Sequence, residues 1–239
     1  MFLTSYPLLL LFLPTFCAIL SDDFNDWLVK NFGVDVQTML NRADLDTLGS
    51  FGGKIDPSQL VHKDPVVFVH GVSDRAGDKP KYSADFFNSA HGYEWSELYG
   101  TTYANASQEN PLQWAQYALQ CKYVKQVRML IIAVHYYTAR PVNLVAYSMG
   151  VPLSRKAILG GRCVETDEDL GEPLTPFIET FVGVSGPNHG ARPEVINPLF
   201  FHSVLQEMLF NLPSSLTLTL LISYGAVNKF LSGEDCKRN

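Results

Sequence analysis

Three short apolar runs, at residues 65–69, 142–146 and 181–185, interrupt more polar stretches of this chain. Each run is rich in β-branched and aromatic side chains, which is typical of strands that are buried on both faces of a sheet. Stretches with the spacing of helices lie between the runs. The pattern therefore predicts a parallel sheet with covering helices, which is the α/β class.

Two segments between these runs are predicted to be helical. Asn110 and Pro111 are typical of a helix start, and apolar residues then recur at helical intervals as far as Ile131. Residues 153–159 suit a second helix, which is ended by two consecutive glycines. Residues 73–95 are polar and rich in Asp, Gly, Lys and Ser, so we expect a loop there.

The first 20 residues form an apolar segment without a charged side chain, and the first charge is Asp22. The apolar centre of this segment, residues 8–13, lies between two prolines, and small residues follow it. We interpret residues 1–20 as a secretory signal peptide, which predicts a secreted protein. A buried first helix is the alternative, but the prolines and the abrupt change to a polar sequence argue against it.

The composition excludes several classes of protein. With 46% hydrophobic and 18% charged residues, the chain has the balance of a globular protein that buries a core. The 18 Lys and Arg residues against 24 Asp and Glu residues give a net charge of −6. This charge does not supply the basic field that drives nucleic-acid binding. The His, Cys and Asp residues do not fall at the spacings of metal ligands, so we expect no metal and no cofactor.

Removal of the signal segment would leave three cysteines, Cys121, Cys163 and Cys236. In an oxidising compartment, one disulfide and one spare thiol are the natural arrangement of three cysteines. Because Cys121 precedes one helical stretch and Cys163 follows the next, we predict a Cys121–Cys163 disulfide. Asn105 begins the one N-glycosylation sequon of the chain.

Residues 146–150, Ala-Tyr-Ser-Met-Gly, fall between the second strand and the following helix. This small-x-Ser-x-small pattern is typical of a nucleophile elbow, a sharp strand-to-helix turn with a serine at its tip. The strained turn requires small residues two positions away from Ser148, and Ala146 and Gly150 meet that requirement. The turn would expose the Ser148 hydroxyl beside the N-terminus of the helix, which favours developing negative charge. An ordinary strand–turn–helix junction is the alternative.

A second element of such a site lies upstream, where His70 and Gly71 follow the first strand. In hydrolases with this elbow, the loop after that strand supplies one backbone N–H of the oxyanion hole. The residue after the nucleophile supplies the other N–H. We therefore predict that Val72 and Met149 are the two donors.

These segments resemble the class 2 lipase family. The matching stretches are residues 66–72, 97–103, 142–150 and 181–190, within a resemblance that covers residues 22–192. The resemblance implies an α/β-hydrolase fold, a mostly parallel sheet with helices on both faces. It also implies hydrolysis of acylglycerols or similar lipid esters at a lipid–water interface, through a Ser–Asp–His triad and without a metal or cofactor.

The family places the triad Asp and His beyond the last of these segments. In the 50 residues after His189, the available groups are His202 and Asp235, which come in the reverse of the family's order. The order Ser148, Asp169, His189 is formally available within the matching part. We therefore leave the triad acid and base unassigned.

From residue 193 the chain no longer resembles the family. We accordingly divide it into a signal peptide, a lipase-like domain over residues 21–192, and a divergent segment over residues 193–239 in which the C-terminal strands are incomplete or atypical. Residues 208–228 carry no charge, but they include Asn, Pro, Ser and Thr, so we expect no stable membrane span.

Three functions remain open at this point. The first is a secreted lipase or carboxylesterase that uses Ser148 as its nucleophile. The second is a catalytically impaired, lipid-binding or interaction protein on the same scaffold, without the triad Asp and His. The third is acyl transfer, or another hydrolysis, at the same elbow.

Overall fold

The computed structural model describes residues 19–104 and 120–187. The helices are α1 (Asp22–Phe32), α2 (Val34–Asn41), α3 (Lys79–His91), α4 (Cys121–Thr138) and α5 (Gly150–Leu159). The strands are β1 (Ser50–Phe51), β2 (Val66–Val69), β3 (Leu98–Thr101), β4 (Val142–Tyr147) and β5 (Ile178–Val184). Short 3-10 helices occupy Ala43–Leu48, Trp95–Glu97 and Thr175–Phe177.

These strands form one mostly parallel sheet in the order β1-β3-β2-β4-β5. Strands β2, β3, β4 and β5 run parallel to one another, whereas the edge strand β1 is antiparallel to β3. The register pairs Val69 with Ala146 and Tyr147 with Val184, so β2, β4 and β5 end at the same edge of the sheet. Ligands of open parallel sheets bind at the carboxyl ends of the strands, and the candidate site lies at that edge.

Helices cover both faces of the sheet, as we predicted. Alternate residues of β2 point to opposite faces, because successive side chains of a strand alternate. Val67 and Val69 belong to a core that includes residues of α1, α4 and α5. Val66 and Phe68 belong to a second core with Ala84 and Phe87 of α3. The α/β class that we predicted from the apolar runs is confirmed.

Helix α3 corrects the sequence analysis, because it lies within residues 73–95, which we expected to be a loop. The helix has Pro80 in its first turn and ends at Gly92, whose φ of 63° is left-handed. Only a narrow stripe of α3 is buried, namely Pro80, Ala84 and Phe87. The wider polar surface of the helix gives the segment the composition of a loop. The predicted elbow helix also begins earlier, at Gly150 rather than at residue 153.

The N-terminal helix is fixed to α4 by aromatic packing. Phe24 lies 4.5 Å from Tyr137 between ring centroids, and Trp27 lies 5.3 Å from the same ring. Leu20, the last residue of the predicted signal segment, is fully buried, and its N–H donates to the Ser50 hydroxyl at 3.2 Å. Leu20 is therefore part of the folded core. Residues 1–18 lie outside the described part of the chain.

The predicted disulfide is confirmed. It joins Cys121, the first residue of α4, to Cys163 beyond the end of α5, with the two Cα atoms 6.0 Å apart. Cys236 and the sequon residue Asn105 lie outside the described residues. No helix in residues 19–104 or 120–187 is long and apolar enough to cross a membrane.

Candidate active site

Ser148 occupies a strained turn between β4 and α5. Its φ is 48°, in the left-handed region that few residues other than glycine adopt. Two hydrogen bonds hold this backbone, from the Ser148 N–H to the Val184 carbonyl at 2.8 Å and from the Val151 N–H to the Ser148 carbonyl at 3.0 Å. Ser148 is exposed. Such strain costs about 1–3 kcal/mol, and it is concentrated at functional sites.

The structure explains why residues 146 and 150 are small. A Cβ at Gly150 would overlap the carbonyl oxygen of His70 and lie 2.8 Å from that of Val69. Ala146 is fully buried in the middle of the sheet, where it pairs with Val69 on β2 and with Gly183 on β5. The first residue of α5 thus packs directly on the backbone where β2 ends.

The loop after β2 lies against the serine. A Cβ at Gly71 would lie 3.0 Å from the Ser148 Cβ and 3.7 Å from its Oγ. Val72 follows in the loop, and Met149 is the N-cap residue of α5. The structure therefore brings both segments with the predicted oxyanion donors to the nucleophile position. Their roles as donors remain predictions.

His70 is a structural histidine of this loop. It is 2% exposed, and burial lowers the pKa of its imidazole to about 4. Its Nδ1 lies 2.7 Å from the Gly71 carbonyl oxygen, and its Nε2 accepts the Tyr103 N–H at 3.0 Å. Both ring nitrogens are therefore engaged by backbone groups, and the ring is neutral near pH 7. It does not act as the base for Ser148.

Asp74 connects the same loop to α3. Its side chain is buried, and burial raises the pKa of the carboxyl above its ordinary value. The carboxylate accepts backbone N–H groups of Arg75 and of Lys79, the first residue of α3. A carboxylate at this position is favourable for a helix N-terminus. Asp74 therefore anchors the loop to the first turn of α3.

The acidic residues after α5 lie at the wrong end of that helix. Because α5 has 10 residues, its two ends are about 15 Å apart. Asp167 pairs with Arg162 at 2.6 Å, and Asp169 accepts the Gly171 N–H at 2.9 Å. The formal triad order through Asp169 is therefore not supported by the described geometry.

Two of the other described histidines, His91 and His135, make their contacts away from the elbow. His135 stacks on Phe177, with the ring centroids 4.1 Å apart, and its Nδ1 lies 2.8 Å from the Arg140 carbonyl oxygen. His91 packs edge-on against Phe86. Within residues 19–104 and 120–187, no group of three or more His, Cys, Asp or Glu side chains could hold a metal ion.

The match to a family model agrees with this arrangement. The model described as lipase (class 2) matches residues 63–207, which is more than half of the chain and includes the elbow and the loop after β2. The chain belongs to the class 2 lipase family. No curated protein matches it.

Solved lipase structures resemble the chain distantly. The propeptide form of Bacillus licheniformis lipase BlEst2 is 20% identical, with a TM-score of 0.36, over 59% of this chain and 26% of that one. Aspergillus fumigatus lipase B is 17% identical, with a TM-score of 0.36, over 54% and 25%. The mature form of BlEst2 is 16% identical, with a TM-score of 0.38, over 78% and 65%. The chain thus spans less than two thirds of each of these proteins.

Proposed function

We propose that this protein is a secreted ester hydrolase of the lipase type, which acts on lipid esters with Ser148 as its nucleophile. The observation that carries the proposal is the exposed Ser148 at a φ of 48°, placed against Gly71 of the loop after β2. Membership of the class 2 lipase family supports lipid esters as the substrate class. The disulfide between Cys121 and Cys163 is consistent with an oxidising, extracellular environment.

In the proposed reaction, the Ser148 Oγ attacks the carbonyl carbon of the ester and an acyl-enzyme forms as the alcohol leaves. The negative charge that develops on the carbonyl oxygen is stabilised by the N–H groups of Val72 and Met149, together with the N-terminus of α5. Each such donor typically contributes about 100- to 1,000-fold to kcat. Water then hydrolyses the acyl-enzyme and frees Ser148.

The proton on Ser148 must pass to a base, which we do not assign. His189 and His202, together with Asp235, belong to residues 188–239, outside the described part of the chain. Substitution of each of the three residues tests whether it serves as the base or the acid of the triad.

Hydrolysis of p-nitrophenyl esters tests the proposal. We expect the purified protein to hydrolyse short- and long-chain esters, and Ser148→Ala to lower kcat by at least about 1,000-fold. Ser185→Ala is a matched control, because Ser185 is also exposed at the end of a strand with a φ of 53°. Equal rates for the wild type and Ser148→Ala would show that the protein is not a serine esterase.

A lipid-binding protein without hydrolytic activity is the second candidate. It is favoured by the engagement of His70 and His135 with backbone groups and by the position of Asp169 beyond the far end of α5. Flotation with triacylglycerol emulsions tests it. Binding by the wild type without release of fatty acid would support this second candidate and contradict the first. Comparison of glycerol with water as the acyl acceptor tests acyl transfer.

A further inference from the structure

Tyr103, two residues beyond β3, contacts His70 in three ways. Its backbone N–H donates to the His70 Nε2 at 3.0 Å, and its hydroxyl donates to the His70 carbonyl oxygen at 3.0 Å. The two rings stack with their centroids 4.0 Å apart and their planes 11° from parallel. Both side chains are buried, with 3% of Tyr103 and 2% of His70 exposed. Tyr103 therefore holds both the backbone and the ring of His70.

The first of these contacts selects the tautomer of His70. A neutral imidazole has one N–H donor and one acceptor nitrogen. Because Nε2 accepts the N–H of Tyr103, the proton of the ring must be on Nδ1. Nδ1 lies 2.7 Å from the carbonyl oxygen of Gly71, to which it therefore donates.

The hydrogen bond to Gly71 determines the orientation of the next N–H. The Gly71 carbonyl and the Val72 N–H belong to one planar, trans peptide unit, in which the two groups point in opposite directions. When the carbonyl is held toward the buried His70 ring, the Val72 N–H is directed away from that ring. The Cα of Gly71 meanwhile lies against Ser148.

We propose that Tyr103 is a positioning residue for the oxyanion hole, because it acts through His70 to orient the Val72 N–H. This inference rests on the proposed function, since it concerns the same site. Tyr103 lies outside both the elbow and the loop after β2, and the inference gives it a role in positioning the oxyanion donor. Tyr103 need not touch the substrate, because its effect passes through His70 and the Gly71–Val72 peptide.

The segment around Tyr103 is itself held firmly. The Arg42 guanidinium donates to the carbonyl of Thr102 and, at 2.7 Å, to the carbonyl of Ala104, on either side of Tyr103. The Thr102 hydroxyl accepts the Ala76 N–H at 2.8 Å. Residues 102–104 therefore fasten the loop after β2 near both of its ends.

Tyr99 provides a matched control for Tyr103. It is fully buried, lies in β3, and donates its hydroxyl to a backbone carbonyl, that of Ser96, at 2.5 Å. Tyr99→Phe and Tyr103→Phe each remove one buried hydrogen bond from a tyrosine hydroxyl to a backbone carbonyl. Tyr103→Phe keeps the backbone N–H that fixes the tautomer of His70, and it releases the His70 carbonyl, which belongs to the peptide that leads into Gly71 and Val72. Of the two tyrosines, Tyr103 alone bonds to the loop that carries Val72, so a positioning role predicts a lower kcat in Tyr103→Phe only. A merely structural role predicts similar kcat values for both variants.

The test compares kcat and KM of the two variants with a p-nitrophenyl ester. An oxyanion donor acts in the transition state, so a misdirected donor lowers kcat without changing KM. We expect Tyr103→Phe to lower kcat by about 10-fold, part of the roughly 100- to 1,000-fold effect of a whole donor, with KM unchanged. Tyr99→Phe should keep the kcat of the wild type. Equal kcat values for both variants, or a change confined to KM, would overturn the inference.

A second measurement does not depend on hydrolysis. In amide NMR spectra, the Val72 signal should shift in Tyr103→Phe and stay in place in Tyr99→Phe, and ¹⁵N spectra near pH 7 should show His70 protonated at Nδ1. A wild-type protein without esterase activity would contradict the proposed function. The spectra would still test the orientation of the Val72 N–H, because they do not depend on activity. Protonation at Nε2, or an unmoved Val72 signal, would refute the role of Tyr103.

Discussion

At its first residue, α5 contacts the loop after β2. Beyond its last residue, the chain forms a short hairpin over residues 161–171, which a disulfide joins to α4. We call residues 70–72 and 148–150 the front end of α5, and residues 157–174 its back end. The front end contains an exposed serine with a left-handed backbone. Gly150 at this end packs so closely on His70 that a Cβ at position 150 would overlap the His70 carbonyl oxygen.

The back end satisfies its own polar groups. The buried Arg128 donates to the carbonyls of Ala157, at 2.8 Å, and Glu172. The Leu174 N–H donates to the Ile158 carbonyl at 2.7 Å. These bonds occupy carbonyl groups that the end of a helix leaves without helical partners.

From the difference between the two ends we infer that the front end serves catalysis and the back end serves stability. Local strain persists only where the surrounding structure enforces it, and it is found at functional sites. Both ends contain a non-glycine residue with a left-handed backbone, Ser148 with a φ of 48° and Asp167 with a φ of 55°. Asp167 lies beside the disulfide and pairs with Arg162, whereas Ser148 is exposed at the strand-to-helix turn. Changes at the front end should therefore affect catalysis, and changes at the back end should affect stability.

We expect the largest effect on ester hydrolysis from Gly150→Ala, which adds a methyl group at the front end. Gly150→Ala places a Cβ against the carbonyls of His70 and Val69, so the elbow and the loop must separate. Because both predicted oxyanion donors then shift, we expect kcat for ester hydrolysis to fall by at least about 1,000-fold. Overpacking of this kind also lowers the free energy of unfolding by about 3 kcal/mol.

Gly161→Ala is the control at the back end. Gly161 also has a positive φ, 69°, but a Cβ there would meet nothing within 4 Å. We expect a loss of about 1–2 kcal/mol from backbone strain and no change in kcat. A similar loss of activity in both alanine variants would contradict the distinction between the two ends.

Removal of the disulfide should produce the largest loss of stability at the back end. The bond closes a loop with a sequence separation of 42 residues, for which chain entropy predicts a contribution of about 4 kcal/mol. We expect the double variant Cys121→Ala/Cys163→Ala to unfold at lower urea concentration, with kcat of the folded protein within about twofold of the wild type. A fall in kcat before any unfolding would show that the back end controls the site.

Protonation of His70 should weaken the front end at acidic pH. The pKa of its imidazole is about 4 in the folded protein, against an ordinary value of 6.5. Between these values the unfolded chain binds more protons, so the free energy of unfolding rises with pH and the full contribution is present above pH 6.5. The difference between the two pKa values corresponds to a free energy of unfolding on the order of 3 kcal/mol, and this contribution is lost as the pH falls towards 4.

Urea unfolding from pH 4 to pH 7 measures this contribution when the wild type is compared with His70→Asn. The asparagine amide can donate to the Gly71 carbonyl, but it does not titrate. The comparison also removes the opposite contribution of Asp74, whose pKa is raised by burial and which favours the folded state at low pH. Identical pH dependence in both proteins would contradict the neutral, buried state of His70.

The front end of α5 can be predicted from the sequence because the elbow depends on local rules. A serine between a buried strand and a helix, with small residues at 146 and 150, is a pattern within one short segment. The strands β2, β4 and β5 were likewise found from continuous apolar runs. The Cys121–Cys163 pair could be predicted because so few cysteines were available.

The contacts that support the site could not be predicted in the same way. Tyr103 lies 33 residues from His70, and Arg42 lies 60 residues from Thr102, so their partners depend on the order of strands in the sheet. Helix α3 escaped prediction because its buried stripe is narrow and its other residues are polar. For Tyr103, the one signal was the likeness of residues 97–103 to the lipase family.

Labelling with a fluorophosphonate probe tests most directly whether the front end of α5 holds a reactive nucleophile. The probe forms a covalent bond to an activated serine oxygen, and mass spectrometry of the digested protein identifies the modified residue. We predict a single adduct on Ser148, which is absent from Ser148→Ala and retained in Ser185→Ala. An adduct on another residue, or no labelling of the folded wild type, would contradict the assignment of Ser148 as the nucleophile.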